Sequence, residues 1–231
     1  MLSRILRVLA TNPGYAFSRA INLAFPQAAK CASRLPSLLT GKGLEVGGPS
    51  KPFESLLGIY KFADLDNCNF HAKTIWEGEI SEGRTFRYGD KIGKQFIREA
   101  SDLRFPDNSY DFIISSHMLE HSANPVKVLL EWRRVLRSYL LLVLPEGHKT
   151  ITTDRRRPIT PLEHMISDYR RGVGEDDLTH TDDKTNVVHR TMHHHVFSEE
   201  TAVALTEYCG FRTLFSETVA PFHIVILSAK P

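Results

Sequence analysis

From residue 43 onward, short apolar runs alternate with amphipathic stretches of helical period. Strands that are apolar throughout, rather than on alternate residues, are buried on both faces, and helices between them supply the cover. This pattern predicts an α/β fold with a doubly wound, mostly parallel sheet. Gly43 to Val46 reads as a buried strand that ends in Gly47-Gly48-Pro49-Ser50. Ile59 to Leu65 reads as a second strand, with Asp64 and Asp66 at its carboxyl end. Residues 71–98 carry no assignable element, and Tyr110 to Ser115 is a strand. Asn124 as N-cap and Pro125 at the first helical position open a helix. Its apolar face is Val128, Leu129, Trp132, Val135 and Leu136, and it ends near Arg137. Tyr139 to Leu144 is the next strand. A second helix starts at Ser198, with Glu199 and Glu200 complementing its dipole, and stops at Gly210. Phe211 to Val219 and Phe222 to Ala229 flank Ala220-Pro221 and are expected to close the sheet as an antiparallel hairpin.

The 231 residues suit one large domain with an insertion. No apolar run approaches the roughly 18 residues of a membrane span. The three cysteines, Cys31, Cys68 and Cys209, are far apart and never in C-x-x-C spacing. A disulfide framework and a zinc ribbon are thereby excluded, and a reducing, cytoplasmic compartment is expected. The net charge of +2 hides an asymmetry. Residues 1–44 hold six basic side chains and no acid, whereas the remainder holds 23 basic against 27 acidic residues. A nucleic-acid partner needs a broad basic excess and is not expected. Residues 1–40 form a basic, helical arm, and three readings of its first 35 residues stay open. They are a helix pair packed on the core, an amphipathic helix making peripheral contact with an anionic membrane, and an organellar transit peptide.

Ligands of open α/β sheets bind beyond the carboxyl ends of the strands. Glycines after the first strand let backbone approach a ligand closely. An acid at the end of the second strand commonly takes ribose hydroxyls, and Asp64 fits that place first, with Asp66 as the substitute. The stretch LRFPDNSYDFIISSHMLEH reads as turn, strand and a polar exit. About fifty residues between Pro145 and Val196 show no sustained period. They hold Asp154-Arg155-Arg156-Arg157, Glu163-His164, the acidic stretch Glu175 to Asp177 and His193-His194-His195. This insertion, at about 146–195, is expected on the substrate side.

Together, LEVGGPS, LRFPDNSYDFIISSHMLEH, NPVKVLLEWRRVLRSYLLLVLP and the closing hairpin resemble a class I S-adenosylmethionine-dependent methyltransferase over roughly residues 41–150 and 193–230. The resemblance implies a Rossmann-like, seven-stranded sheet with a terminal antiparallel hairpin, and a methyltransferase domain over 41–231. LPEGHKTITTDRRRPITPLEHMISDY resembles a bacterial subgroup associated with cell-surface polysaccharide or sugar biosynthesis. The cofactor implied is S-adenosyl-L-methionine. Carried over by position, Glu45, Gly47 and Gly48 would meet its methionine moiety, and Asp64 or Asp66 its ribose. Glu99 or Asp102 would flank its adenine, and Ser115, Ser116 and His117 would line it at the end of the fourth strand. The sequence departs from the family at Pro49 and Lys51, which replace glycines. It also lacks the Pro-Gly-Gly turn, since Arg137-Ser138 runs straight into Tyr139.

Methyl transfer from a sulfonium is a displacement whose donor is already activated, so alignment is the main task. A hydroxyl acceptor, as on a small molecule or glycan, also needs a base. His121 and His195 are the first candidates and His117 the third. His117-x-x-Glu120-His121 resembles the metal-binding E-x-x-E-H cluster of ubiquinone-pathway O-methyltransferases, with His117 in place of the first acid. No metal is nevertheless expected. Arg155 to Arg157 read as a solvated turn or as an anion site. A partner subunit of the same fold that has lost catalysis is the competing function.

Overall fold

The computed structural model describes residues 29–150, 153–177 and 186–231. Of the arm at 1–40, residues 1–28, with both amphipathic stretches, lie outside the described residues; Ala29 onward is described, with Leu35 and Leu39 buried. Among the described residues, no helix is long and apolar enough to cross a membrane.

The described residues form ten strands: β1 (Lys42–Val46), β2 (Asp64–Asn69), β3 (Lys73–Thr74), β4 (Gly78–Glu79), β5 (Gly83–Tyr88), β6 (Lys91–Ile97), β7 (Tyr110–Ser116), β8 (Leu136–Pro145), β9 (Arg212–Val219) and β10 (His223–Ala229). Eight form one sheet in the order β5-β6-β2-β1-β7-β8-β10-β9. β6, β2, β1, β7 and β8 are mutually parallel. β5 pairs antiparallel with β6 at one edge, and β10 and β9 close the other edge antiparallel. The architecture is Rossmann-like α/β with the expected terminal hairpin. One strand, β5, exceeds the expected seven, because the chain turns back on β6 instead of crossing over through a helix.

Three helices of ten or eleven residues cover one face: α1 (Pro125–Val135), α2 (Leu162–Arg171) and α3 (Glu199–Tyr208). Asn124 caps α1 by accepting from the Lys127 amide (3.0 Å), and Ser198 caps α3 through the Thr201 amide (3.2 Å). The core on this side centres on Trp132, Leu129, Phe197 and Leu205. Truncating a ring as fully buried as Trp132 costs about 3–5 kcal/mol. The opposite face is covered by Leu35, Phe53, Ile59 and Tyr60 from short turns, packed on Phe112, Ile114 and Val225. β8 starts at Leu136 directly after α1, which explains why no Pro-Gly-Gly turn is needed.

The second strand differs from expectation. Ile59–Lys61 is a single 3-10 turn, and the strand runs from Asp64 to Asn69. Ile59 and Tyr60 are apolar because they plug the core, and Asp66 and Asn67 are buried inside the sheet. Hydrophobicity alone therefore placed the strand five residues too early. Residues 71–98, unassigned from sequence, hold the small β3–β4 hairpin and the longer β5–β6 hairpin.

Candidate active site

The carboxyl ends of the parallel strands open into a cavity of about 390 Å³, a size that suits a small molecule or cofactor. Its floor begins at the glycine turn after β1. Gly47 has φ +85°, a left-handed conformation that excludes most side chains. The Gly48 amide donates to Asn67 Oδ1 (3.1 Å), and its carbonyl accepts from Asn67 and Asn69 (both 3.0 Å). Glu45 does not line the cavity. It is fully buried beneath the turn, where the Tyr60 hydroxyl donates to its carboxylate (2.9 Å). A Cβ on Gly48 would lie 2.1 Å from Glu45 Cδ, so the second glycine is dictated by the acid below it. Burial raises the Glu45 carboxyl to about 7. Glu45 and Gly48 thus shape the turn, and Gly47 forms the wall.

Asp64 and Asp66 are displaced from the ribose position that the sequence suggested, because β2 starts rather than ends near them. Both pair with Lys42 at the amino end of β1 (3.0 and 2.8 Å), away from the cavity. Asp66 also accepts from the Tyr110 hydroxyl and the Lys94 amide. The carboxyl end of β2 is Asn69, which donates to Glu77 from the turn between β3 and β4. Both line the cavity. Burial, with the nearby Glu45 charge, raises Glu77 to about 8. Neither residue was singled out in the sequence, because their hairpin has no periodicity to reveal it.

Between β6 and β7, Glu99, Ala100 and Ser101 line the cavity, and the Trp132 indole holds the Ala100 carbonyl (3.0 Å). Of the two acids left open there, Glu99 reaches the cavity and pairs with Arg190 (3.1 Å). Asp102 points away and pairs with Arg104 (2.9 Å). Ser115 is turned into the sheet, donating to the Val46 carbonyl (2.8 Å), while Ser116 faces the cavity with a buried hydroxyl that makes no hydrogen bond. His117, at φ +52°, also faces it and lies 2.9 Å from His223 across the β10 edge. Burial drops His223 to about 3, so it stays neutral.

The far wall is rich in histidine. His121 and His193 stand edge to face with centroids 4.5 Å apart, and Trp76 packs on His121. His121 Nδ1 contacts the Met192 carbonyl (3.1 Å), and burial lowers its proton affinity. Glu120, fully buried, has both carboxylate oxygens without a hydrogen bond, with the His117 Nδ1 at 3.5 Å. His193 Nδ1 meets the Asp154 carboxylate. Arg157 braces that pair, donating to Asp154 (3.0 Å) and to the His193 and His194 carbonyls (2.6 and 3.1 Å). Arg157 is therefore committed to structure rather than to a substrate anion.

His195 is not brought to this wall. It is fully buried behind it, with Nε2 3.3 Å from the Ala123 carbonyl. An alternating strand would have put His193 and His195 on one face. The segment is not a strand: the amides of both His194 and His195 turn toward the Glu120 carbonyl (2.8 and 3.4 Å). The histidine that reaches the cavity is His193, and its partner Asp154 sits in the Asp-Arg-Arg-Arg run that reads as a solvated turn. Glu120, His121 and His193 place one carboxylate oxygen and two imidazole nitrogens within 4.8 Å of one another, as do His164, Asp168 and His195 outside the cavity.

Residues 61–143, spanning β2 to the middle of β8, match a family model described as a methyltransferase domain. Over those residues the chain is similar to that domain. Solved structures share its fold. A SAM-dependent methyltransferase from Aquifex aeolicus superposes with a TM-score of 0.50 at 16% identity, over 87% of this chain and 89% of that one. Another from Methanosarcina mazei gives 0.53 at 19% identity, over 88% and 99%. No curated protein matches the chain.

The cavity fits S-adenosylmethionine. The Gly47 turn leaves room where a side chain would intrude, the buried Ser116 hydroxyl lacks a partner, and Glu77 offers a buried acceptor. Gly47 and Ser116 would hold the amino-acid end, Glu77 with Asn69 the ribose, and Glu99 to Ser101 the adenine.

Proposed function

We propose that this methyltransferase uses S-adenosylmethionine to methylate a hydroxyl oxygen of a small molecule or glycan. The observation that carries the reading is the Asp154–His193 pair on the cavity wall. When bound, the cofactor supplies an electrophilic methyl group on a sulfonium, so the protein has to align the acceptor and remove its proton. Asp154 accepts from His193 Nδ1 and leaves Nε2 as the proton acceptor. His121 and Trp76 pack together at the same end, and Arg157 fixes the dyad. A neutral tertiary amine or a thioether acceptor has no proton to lose and would need no such base.

The sugar-biosynthesis acceptor class is the finer part of the proposal. Its support is the insertion sequence, which supplies both members of the dyad. Calorimetry with S-adenosylhomocysteine tests the first half, with micromolar binding expected. Turnover of hydroxylated acceptors, sugars and nucleotide-sugars first, tests the second. His193→Ala is expected to lower kcat about 10²–10⁴-fold while binding S-adenosylhomocysteine normally. Binding with no turnover, and no effect of the substitution, would instead leave a cofactor-binding scaffold.

A further inference from the structure

Between β3 and β4 the chain presents Ile75 and Trp76, which leave 58% and 51% of their surface exposed. The chain has two tryptophans, and the other, Trp132, is fully buried. Half an indole left in water forgoes burial energy that a ligand stacked on it recovers. The two neighbours differ in what they face: Trp76 lines the cavity and Ile75 does not. The hairpin holds Trp76 in that place. Its strands pair Lys73 with Glu79 and Thr74 with Gly78, and Gly78 closes the turn at φ +71°. Thr74 Oγ1 accepts from the Glu77 amide (3.0 Å), and the Glu77 carboxylate accepts from Asn69 at the end of β2.

The surroundings of this indole define what fits against it. It packs on His121 at an incline, with centroids 5.3 Å apart and 61° between the planes, so the ring is supported without being stacked over. His121 in turn meets His193, which puts the indole one imidazole away from the Asp154–His193 dyad. Glu120 and His193 each place a polar atom within 4.8 Å of one on His121. An acceptor seated here meets one apolar ring face and a rim of hydrogen-bonding groups. A phenol is apolar on both faces and suits a slot closed on both sides. A pyranose has an apolar C–H face and hydroxyls around its edge, which matches a single platform beside a polar rim.

We propose that Trp76 is the platform on which a pyranose ring of the acceptor stacks, with the hydroxyl to be methylated turned toward His193. The assignment rests on the hydroxyl-acceptor reading above and names the class of the acceptor. One hairpin then serves both substrates, Glu77 for the ribose of the cofactor and Trp76 for the acceptor ring.

The full chain, saturated with S-adenosylhomocysteine, is titrated with the methyl pyranosides of glucose, galactose, mannose and rhamnose while tryptophan emission is followed. Trp132 is buried, so the change reports Trp76. A saturable change with at least one pyranoside is expected, and its absence with all of them would overturn the proposal. In Trp76→Ala, shown to be folded by its binding of S-adenosylhomocysteine, calorimetry should find affinity for that sugar reduced about tenfold or more. Trp76→Phe should recover most of it and Trp76→Leu little, since the recovery needs a ring face. Where the sugar is turned over, Trp76→Ala should raise KM and leave kcat nearly unchanged. Ile75→Ser should bind the sugar as the wild type does. Wild-type affinity in Trp76→Ala, or full recovery in Trp76→Leu, would overturn the proposal. A response to catechol with none to any pyranoside would change the acceptor class and overturn it too. Quenching by vesicles of brominated phosphatidylcholine, lost in Ile75→Ser and with no pyranoside response, would assign the hairpin to a lipid surface and overturn it equally. Pyranoside binding without methyl transfer would refute the base assigned to His193 and leave the platform standing.

Discussion

On the strand side, the cavity wall is largely backbone and amide: Gly47 and Asn69, held from beneath by the bonds among Asn67, Gly48 and Asn69, and the Ala100 backbone held by Trp132. On the insertion side it is titratable side chain: Glu120, His121 and His193 with Asp154 behind. The first wall is fixed by groups whose charge does not change, as suits a cofactor of constant shape. The second wall can exchange protons, as suits an acceptor that must lose one. The division predicts that substitutions on each side affect different observables.

The largest expected effect tests the insertion side. Asp154→Asn removes the charge behind His193 and frees its tautomer. We expect kcat to fall about 10²–10⁴-fold. Affinity for S-adenosylhomocysteine, measured by calorimetry, should stay within about twofold, well under the 1.4 kcal/mol that a tenfold change represents. Equal losses in both would erase the distinction between the walls.

Glu77 is the exception on the strand side, a titratable group among backbone. As an ionised acceptor for hydroxyls it should contribute about tenfold or more in affinity. Its carboxyl is raised to about 8 by burial first and by the Glu45 charge second, with Asn69 pulling the other way. Ligand donors favour the ionised form, so affinity for S-adenosylhomocysteine should rise as pH increases toward 8 and level off above. Glu77→Gln should be weaker and flat with pH. A sloping profile that survives the substitution would assign the titration to another group.

A smaller effect concerns stability. Glu45 keeps its proton in the folded chain up to about pH 7, whereas the unfolded chain loses it near 4.5. Between those values the folded state binds more protons, so rising pH favours unfolding. Stability should fall across pH 4.5–7, by up to about 3 kcal/mol, and level off above. In Glu45→Gln that part of the slope should vanish, as followed by urea unfolding at several pH values. An unchanged slope would show that the Tyr60 hydroxyl compensates the buried charge fully.

The same contrast explains what the sequence reveals. Strands β1, β7 and β8 are apolar on both faces and stand out, as do α1 and α3 with Asn124 and Ser198 as caps. β2 does not, since Asp66, Asn67 and Asn69 are buried polar residues that satisfy one another and the glycine turn. Side-chain networks of that kind leave no hydrophobic pattern. On the insertion side the histidines are conspicuous, but which one faces the cavity depends on where the backbone turns. That turn rests on Glu120's carbonyl, about seventy residues away in the chain.

Asp64 isolates this error in the smallest prediction. Family spacing puts it on the ribose, and Asp64→Ala would then weaken S-adenosylhomocysteine binding markedly. In the fold it is an exposed residue that shares Lys42 with the buried Asp66, at the opposite end of β2 from Asn69. Exposed pairs contribute about 0–1 kcal/mol, and Lys42 keeps its second partner. Asp64→Ala should therefore leave affinity unchanged within error and stability nearly so, while Glu77→Gln lowers affinity in the same titration. The reverse outcome would require the second strand to slide by several residues against β1. The paired register from Lys42–Asp64 to Val46–Cys68 leaves no room for that without expelling Leu65 and Cys68 from the core.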